Sequence, residues 1–415
     1  MKQGWRVGSL FSIPLFVDSS WFFIVALVTF LDGLAWQDLY PSWGPGLAWL
    51  AGLAMALLLF TSVLLHELGH SLVARSQGIK VNAITLFLFG GIASIEEESK
   101  TPGQAFQVAI AGPMVSITLF LLLSLTAQFL SPSGPIGVVS RSLAGINLVL
   151  ALFNLIPGLP LDGGQILKAA VWKATGNRFK GVHWAAKVGQ ILGWLAIILG
   201  LGTVFLTGNY SGLWIALLGW FGLRNAYTYD RYTDLQEGLM QLQAEDAMTR
   251  DFRVVDANLT LRQFADDYLL SSSRSPIYFA ASEGRYRGLV EADDLSSIER
   301  SQWETQTVQS LVQPLNDILT VQQTTPLTQV INLLETQNLA RITVLSPAGA
   351  VAGVIDRGDT VKALAEKMNL QISEGDIRRI KEEGSYPPSL QLQAIAKAVM
   401  KDSLTAQQST EATAE

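Results

Sequence analysis

Residues 47–75 read LAWLAGLAMALLLFTSVLLHELGHSLVAR, and this stretch decides the reading of the whole chain. Leu47 through Leu65 carries no charge, and a helix needs about 20 mostly apolar residues to cross a bilayer. The run passes directly into His66-Glu67-Leu68-Gly69-His70 before Arg75 returns it to water. Helix positions four apart lie one turn apart on one face. Two imidazoles can therefore reach one tetrahedral ion, with Glu67 beside them to accept a proton from bound water. Ionisable groups in a spanning helix are costly and mark function. With Arg75 at the interface and a rise of about 1.5 Å per residue, His70 and His66 lie roughly 7 and 13 Å inward. Hydrolysis there requires a water-filled cleft open to the cytoplasm.

The rest of the chain fits a membrane protein. It has 415 residues, 49% hydrophobic and only 15% charged, where soluble domains carry about a quarter charged. Residues 101–140, 142–161 and 188–223 are also uncharged, the last interrupted by the polar turn Thr207-Gly208-Asn209-Tyr210-Ser211-Gly212. With Val17 to Leu31 these runs predict six spans near 15–34, 47–74, 105–130, 136–157, 184–206 and 211–228. Placing the N-terminus in the cytoplasm puts twelve Lys and Arg on that side and only Arg141 on the other; Lys and Arg in short loops favour the cytoplasm. Both termini are therefore expected there, in a plasma or inner membrane, with the basic start (Lys2, Arg6) uncleaved. Asp18 is expected to face water or cap the first span, and His183 to be an interfacial side chain.

Charge divides the chain. Residues 1–235 carry a net +3 and the remainder a net −9. An acidic soluble half argues against nucleic acid as a partner, which needs a basic patch. There is no Cys, so any metal is held by His, Asp or Glu. A third ligand is sought, because catalytic zinc has three protein ligands and one open position. Asn154-Leu155-Ile156-Pro157-Gly158-Leu159-Pro160-Leu161-Asp162-Gly163-Gly164 unwinds the end of a span. Irregular backbone at membrane depth lines a cavity, where Asp162 can face a metal. Taken alone, the segment reads as a helix-ending turn with a capping Asp. Between spans two and three, Val81 to Ile95 is rich in β-branched and aromatic residues and reads as strands with a bend at Gly90-Gly91; a loop dipping into the interface is the alternative. Glu96-Glu97-Glu98 after it is expected to be a solvated rim.

The two motifs together resemble the site-2 protease family of intramembrane metalloproteases, which pairs a helical H-E-x-x-H with a distant N-x-x-P-x-x-P-L-D-G segment. Ala111-Gly112-Pro113 adds to the likeness, which covers about residues 5–228. The resemblance implies one Zn2+ per chain on His66, His70 and Asp162, Glu67 as the base, and Asn154 orienting the scissile carbonyl. It implies that the strands around Phe89, Gly90 and Gly91 bind an unwound substrate as an added strand. A single-span membrane protein is the implied substrate, such as an anti-sigma factor or tethered regulator already trimmed by another protease.

From residue 245 short α and β elements take over. Gly288-Leu289-Val290-Glu291-Ala292-Asp293-Asp294 recurs as Gly353-Val354-Ile355-Asp356-Arg357-Gly358-Asp359, each copy after a predicted helix (260–270, 326–338) and strand (276–280, 341–345). Two such units pack as one α/β module. The repeat resembles a pair of CBS domains, a module that often binds adenine nucleotides. By that resemblance Asp294 and Asp359 would bond ribose. Glu291 and Asp356 stand where the family has Ser or Thr, and a carboxylate there repels phosphate. Dimerisation through the pair is the other implied role.

The expectation is an α-helical polytopic membrane protein of about six spans with a small β-sheet, residues 1–235, followed by an α/β CBS pair at 245–365. Residues 366–415 are expected to form helices and a disordered tail. The function expected is intramembrane zinc proteolysis, embedded in the lipid bilayer and tuned by the cytoplasmic module. Rival readings are a metal-ion transporter or sensor with the same ligands, and a silent scaffold. Glu67 discriminates, because transport needs no base beside the ligands.

Overall fold

The structure is a computed structural model that describes residues 4–88, 90–270, 277–387, 392–397 and 399–400. The chain forms two compact units, Met1–Thr233 and Asp234–Glu415.

The first unit opens with β1 (Trp5–Leu10) and β2 (Ile13–Val17), then α1 (Ser19–Leu39) and α2 (Gly44–Ser76). Asp18 caps α1, accepting from the Ser20 amide at 2.9 Å and the Ser20 hydroxyl at 2.6 Å, as the sequence implied. The strands β3 (Val81–Phe87) and β4 (Gly90–Ile95) follow. The four strands make one sheet in the order β1-β2-β3-β4. β2 and β3 are parallel, which the long connection through α1 and α2 permits. β3 and β4 are antiparallel, with Thr85 opposite Ile92 and Leu86 opposite Gly91. β4 is thus an edge strand, with one row of backbone groups unpaired by any strand among the described residues.

Four helices follow: α3 (Pro102–Gln128), α4 (Pro135–Asn154), α5 (Asp162–Thr175) and α6 (Arg178–Thr207). α7 (Gly212–Met240) runs from the first unit into the second. Among the described residues, five helices are long and apolar enough to cross a membrane: Ser19–Leu39, Pro41–Ser76, Pro102–Gln128, Pro135–Asn154 and Arg178–Thr207. Their outer faces expose large apolar side chains such as Phe23, Leu50, Leu121, Ile198 and Phe205, as lipid-facing helices do. α7 covers the sixth expected span, but Arg224, Asp230, Arg231, Asp234 and Glu237 give its second half a polar character. α5 is only 14 residues long, too short to span. Small residues let the helices approach closely. A Cβ on Gly52 would lie 2.9 Å from the Thr29 carbonyl oxygen of α1. One on Gly69 would lie 3.1 Å from the Ala111 carbonyl oxygen of α3.

The second unit repeats one topology twice. It begins with α8 (Ala244–Ala247), β5 (Phe252–Asp256) and α9 (Leu261–Phe264), with a π turn continuing to Leu269. β6 (Ile277–Ser282), β7 (Arg285–Val290) and β8 (Val312–Pro314) complete a sheet ordered β5-β6-β7-β8. The second copy has β9 (Thr320–Gln322), α10 (Leu327–Thr336), β10 (Arg341–Leu345) and β11 (Val351–Asp356), ordered β11-β10-β9. In each copy a strand pairs parallel to the next strand and a hairpin follows. Phe279 and Leu289 of one copy pack with Val351 and Val354 of the other. α11 (Arg357–Lys367) and α12 (Glu374–Glu383) close the unit. In the expected tail, residues 401–415 lie outside the described residues.

Candidate metal centre and active site

The last third of α2 presents His66 and His70 to the same side, as the four-residue spacing requires. Their Nε2 atoms are 3.3 Å apart. α4 ends at Asn154, and the Pro-Gly segment after it turns the chain into α5, whose first residue is Asp162. Asp162 Oδ2 lies 3.1 Å from His66 Nε2 and 3.3 Å from His70 Nε2. Tetrahedral zinc with bonds of about 2.05 Å sets its ligand atoms about 3.3 Å apart. The three donors therefore already stand at the separations of a zinc shell, and they form a group able to hold a metal ion.

The surroundings support that fit. His70 Nδ1 lies 2.6 Å from the Val108 carbonyl oxygen. A carbonyl only accepts, so Nδ1 donates and Nε2 is the nitrogen left to face a metal. His66 Nδ1 lies 2.9 Å from Ser116 Oγ, which can accept from it in the same way. Metal-binding histidines are held by such outer bonds. Both partners come from α3, and so does the space. A Cβ on Gly112 would sit 2.2 Å from His70 Nε2 and 2.6 Å from His66 Nε2. Only glycine leaves the two nitrogens free to face a metal.

Glu67, next to His66 on α2, lies under the sheet edge. A Cβ on Gly91 would lie 2.5 Å from Glu67 Cγ, so β4 packs directly on the Glu67 stem. Gly90 begins β4 with φ 135°, a conformation that favours glycine. Phe89, the third residue expected to bind substrate, lies outside the described residues. Asn154 is half-buried at the end of α4 and makes no described hydrogen bond to His66, Glu67, His70 or Asp162. His183 stands apart from the cluster, with Nδ1 2.6 Å from Asp230 Oδ1.

Glu98 is exposed, as a solvated rim requires, but it is also paired. Its Oε2 lies 2.8 Å from Lys168 Nζ and 3.5 Å from Arg178 Nη1. Burial works to raise the Glu98 carboxyl, but these two cations outweigh it and hold the group below its ordinary value. Its partners lie 70 and 80 residues downstream, beyond any local pattern. In the repeat module, Asp359 is buried and paired within the unit. Burial and the neighbouring Asp356 push its carboxyl up to about 6 against the opposing Lys381. Asp356 and Asp359 cap each other's amides at 2.9 and 3.1 Å. Their remaining oxygens both bind Lys381 Nζ of α12, at 3.1 and 2.6 Å. The first copy departs from this pattern, because Asp294 sits in a 3₁₀ segment, Ala292–Ser297, where the second copy has α11.

A family model described as Peptidase family M50 matches residues 54–199, and one for the CBS domain matches residues 308–366. The chain is 44% identical over 367 residues to sll0528 of Synechocystis, assigned by name to the zinc metalloproteases, covering 88% of this chain and 96% of that protein. It is 31% identical over 347 residues to Rip3 of Mycobacterium tuberculosis, likewise assigned by name, covering 83% of this chain and 87% of that one. Among solved structures, the site-2 protease from Methanocaldococcus jannaschii aligns at 27% identity and a TM-score of 0.39, covering 55% of this chain and 95% of that one.

Proposed function

Since the chain belongs to peptidase family M50, the site-2 proteases, and is a membrane-embedded zinc metalloprotease with a CBS domain, we propose that it cuts single-span membrane proteins within or beside their spanning helix. The observation that carries this reading is the trio His66, His70 and Asp162, set at zinc-shell separations inside a spanning helix bundle and beside Glu67. These three hold the zinc, which when bound acidifies water and polarises a carbonyl. Glu67 takes a proton from the attacking water and delivers it to the nitrogen of the scissile peptide. The water oxygen bonds to the carbonyl carbon as the carbon–nitrogen bond breaks.

A helix hides its amides, so the substrate must unwind before it is cut. The free edge of β4 can pair with the released backbone as an added strand. Gly90 and Gly91 keep that edge clear of side chains where it passes Glu67, and Phe89 adjoins it in sequence. Asn154 orients the scissile carbonyl from the end of α4. The Lys and Arg distribution supports cytoplasmic termini, and in this reading the second unit tunes access there and serves as a dimer contact. Nucleotide binding there is weak, because Glu291 and Asp356 repel phosphate and Lys381 already occupies Asp359.

The test is co-expression of the full chain with a panel of single-span proteins, comparing wild type with Glu67→Gln. The amide is nearly isosteric but cannot take the proton. Cleavage is expected to fall at least about 100-fold, the lower range for a lost general base, with zinc content retained and substrate trapped. Cleavage by Glu67→Gln at the wild-type rate would sink the reading.

A further inference from the structure

β4 passes Glu67 at Gly91, and the last main-chain bond of the sheet is Glu96 N–H to the Lys80 carbonyl, 3.0 Å. Beyond it, and before Thr101 caps α3, Glu98 ties the chain to two other helices. Its cations stand on the other wall of the site: Lys168 on α5, six residues after Asp162, and Arg178 at the start of α6. Lys168 is a rigid post. Its side chain is 10% exposed, against 52% for Glu98. Gly181 of α6 packs against it, since a Cβ there would lie 2.5 Å from the Lys168 carbonyl oxygen and 3.4 Å from its Cγ. A buried ammonium is costly without a partner, so Lys168 holds Glu98 rather than following it. The Lys80–Glu96 pair, 3.4 Å and exposed on the Lys80 side, contributes little by comparison.

We propose that Glu98 is a positioning residue for proteolysis: clamped by Lys168 and Arg178, it fixes the exit of β4 relative to the helix that carries Asp162, and so sets where a substrate strand lies against the metal site. This rests on the reading of β4 as the substrate-binding edge. An edge strand that accepts another strand must keep its register, because a slip of one residue turns every side chain to the opposite face. Among the described residues β3 alone borders β4 in the sheet, so a second anchor beyond its end resists that slip.

The experiment uses the full chain in detergent and a single-span substrate that the wild type cuts. Glu98→Gln is expected to raise KM about five- to tenfold, with kcat and bound zinc within about twofold of wild type, the pattern of lost substrate binding without lost chemistry. Lys168→Met should match it, the double variant should be no worse than either single one, and Lys168→Arg should keep the wild-type KM. The chain has no cysteine, so Glu98→Cys with Lys168→Cys can be joined cleanly by a short thiol cross-linker. The joined protein should regain the wild-type KM. An unchanged KM in Glu98→Gln overturns the proposal, as does activity lost in proportion to zinc. So does a cross-linked protein that no longer cuts, which would make the pair a gate that has to open. If the wild type cuts no single-span protein, the proposed function fails; if it cuts and Glu98→Gln cuts equally well, only the role of Glu98 fails.

Discussion

Gly112→Ala adds one methyl group and should empty the metal centre. The new carbon would stand 2.2 Å from His70 Nε2 and 2.6 Å from His66 Nε2. Ordinary van der Waals contact needs about 3.5 Å, so the nitrogens would have to retreat by about 1.3 and 0.9 Å. Metal–ligand distances tolerate only about 0.2 Å. Neither ring can retreat freely, because His70 is tied to the Val108 carbonyl and His66 to Ser116, both on the helix that carries the methyl group. Loss of an outer-shell bond alone weakens metal binding about 10- to 100-fold. Displacing two ligands should exceed that, so at least a 100-fold loss of zinc affinity is expected, about 2.7 kcal/mol. The fold should survive, since overpacking one methyl group costs about 1–3 kcal/mol. The assay is zinc per chain by mass spectrometry after dialysis against a zinc buffer, with circular dichroism as the control for folding. A Gly112→Ala protein with one tightly held zinc and wild-type cleavage would refute the reasoning.

Two further outcomes are expected. Gly91→Ala places a carbon 2.5 Å from Glu67 Cγ and should lower kcat roughly 100-fold, as a misplacement of about 1 Å can, while zinc content stays at the wild-type level; unchanged kcat would show that β4 does not set the Glu67 carboxylate. Lys381→Met removes the ammonium from Asp356 and Asp359. The folded Asp359 carboxyl, at about 6, lies above its ordinary 3.8, so its ionisation works against folding as pH rises between those values. The variant should therefore lose about 1–2 kcal/mol at pH 8 and less at pH 5, read from hydrogen exchange in α11; a larger loss at pH 5 would contradict this sign.

The sequence by itself determined what repeats at short range. Uncharged runs marked the spans, and a four-residue spacing put His66 and His70 on one face, because helical period relates neighbours a turn apart. The break after Asn154 was legible from its prolines and glycines, and the doubled Gly288 and Gly353 segments marked the two-copy module. Tertiary structure alone decided which of these meet. Asp162 reaches His66 across 96 residues, because the chain turns from α4 into α5 and small residues let α2 and α3 pack backbone to backbone. Ser116, the Val108 carbonyl and the space at Gly112 serve the two imidazoles from α3, and no local pattern names them. Glu98 read as one of three solvated acids, and Asp359 as a ligand site. Each found its cation on another helix, Lys168 for one and Lys381 for the other. An ion pair depends on which side chains packing brings within a few ångströms, and a residue's neighbours along the chain do not carry that information.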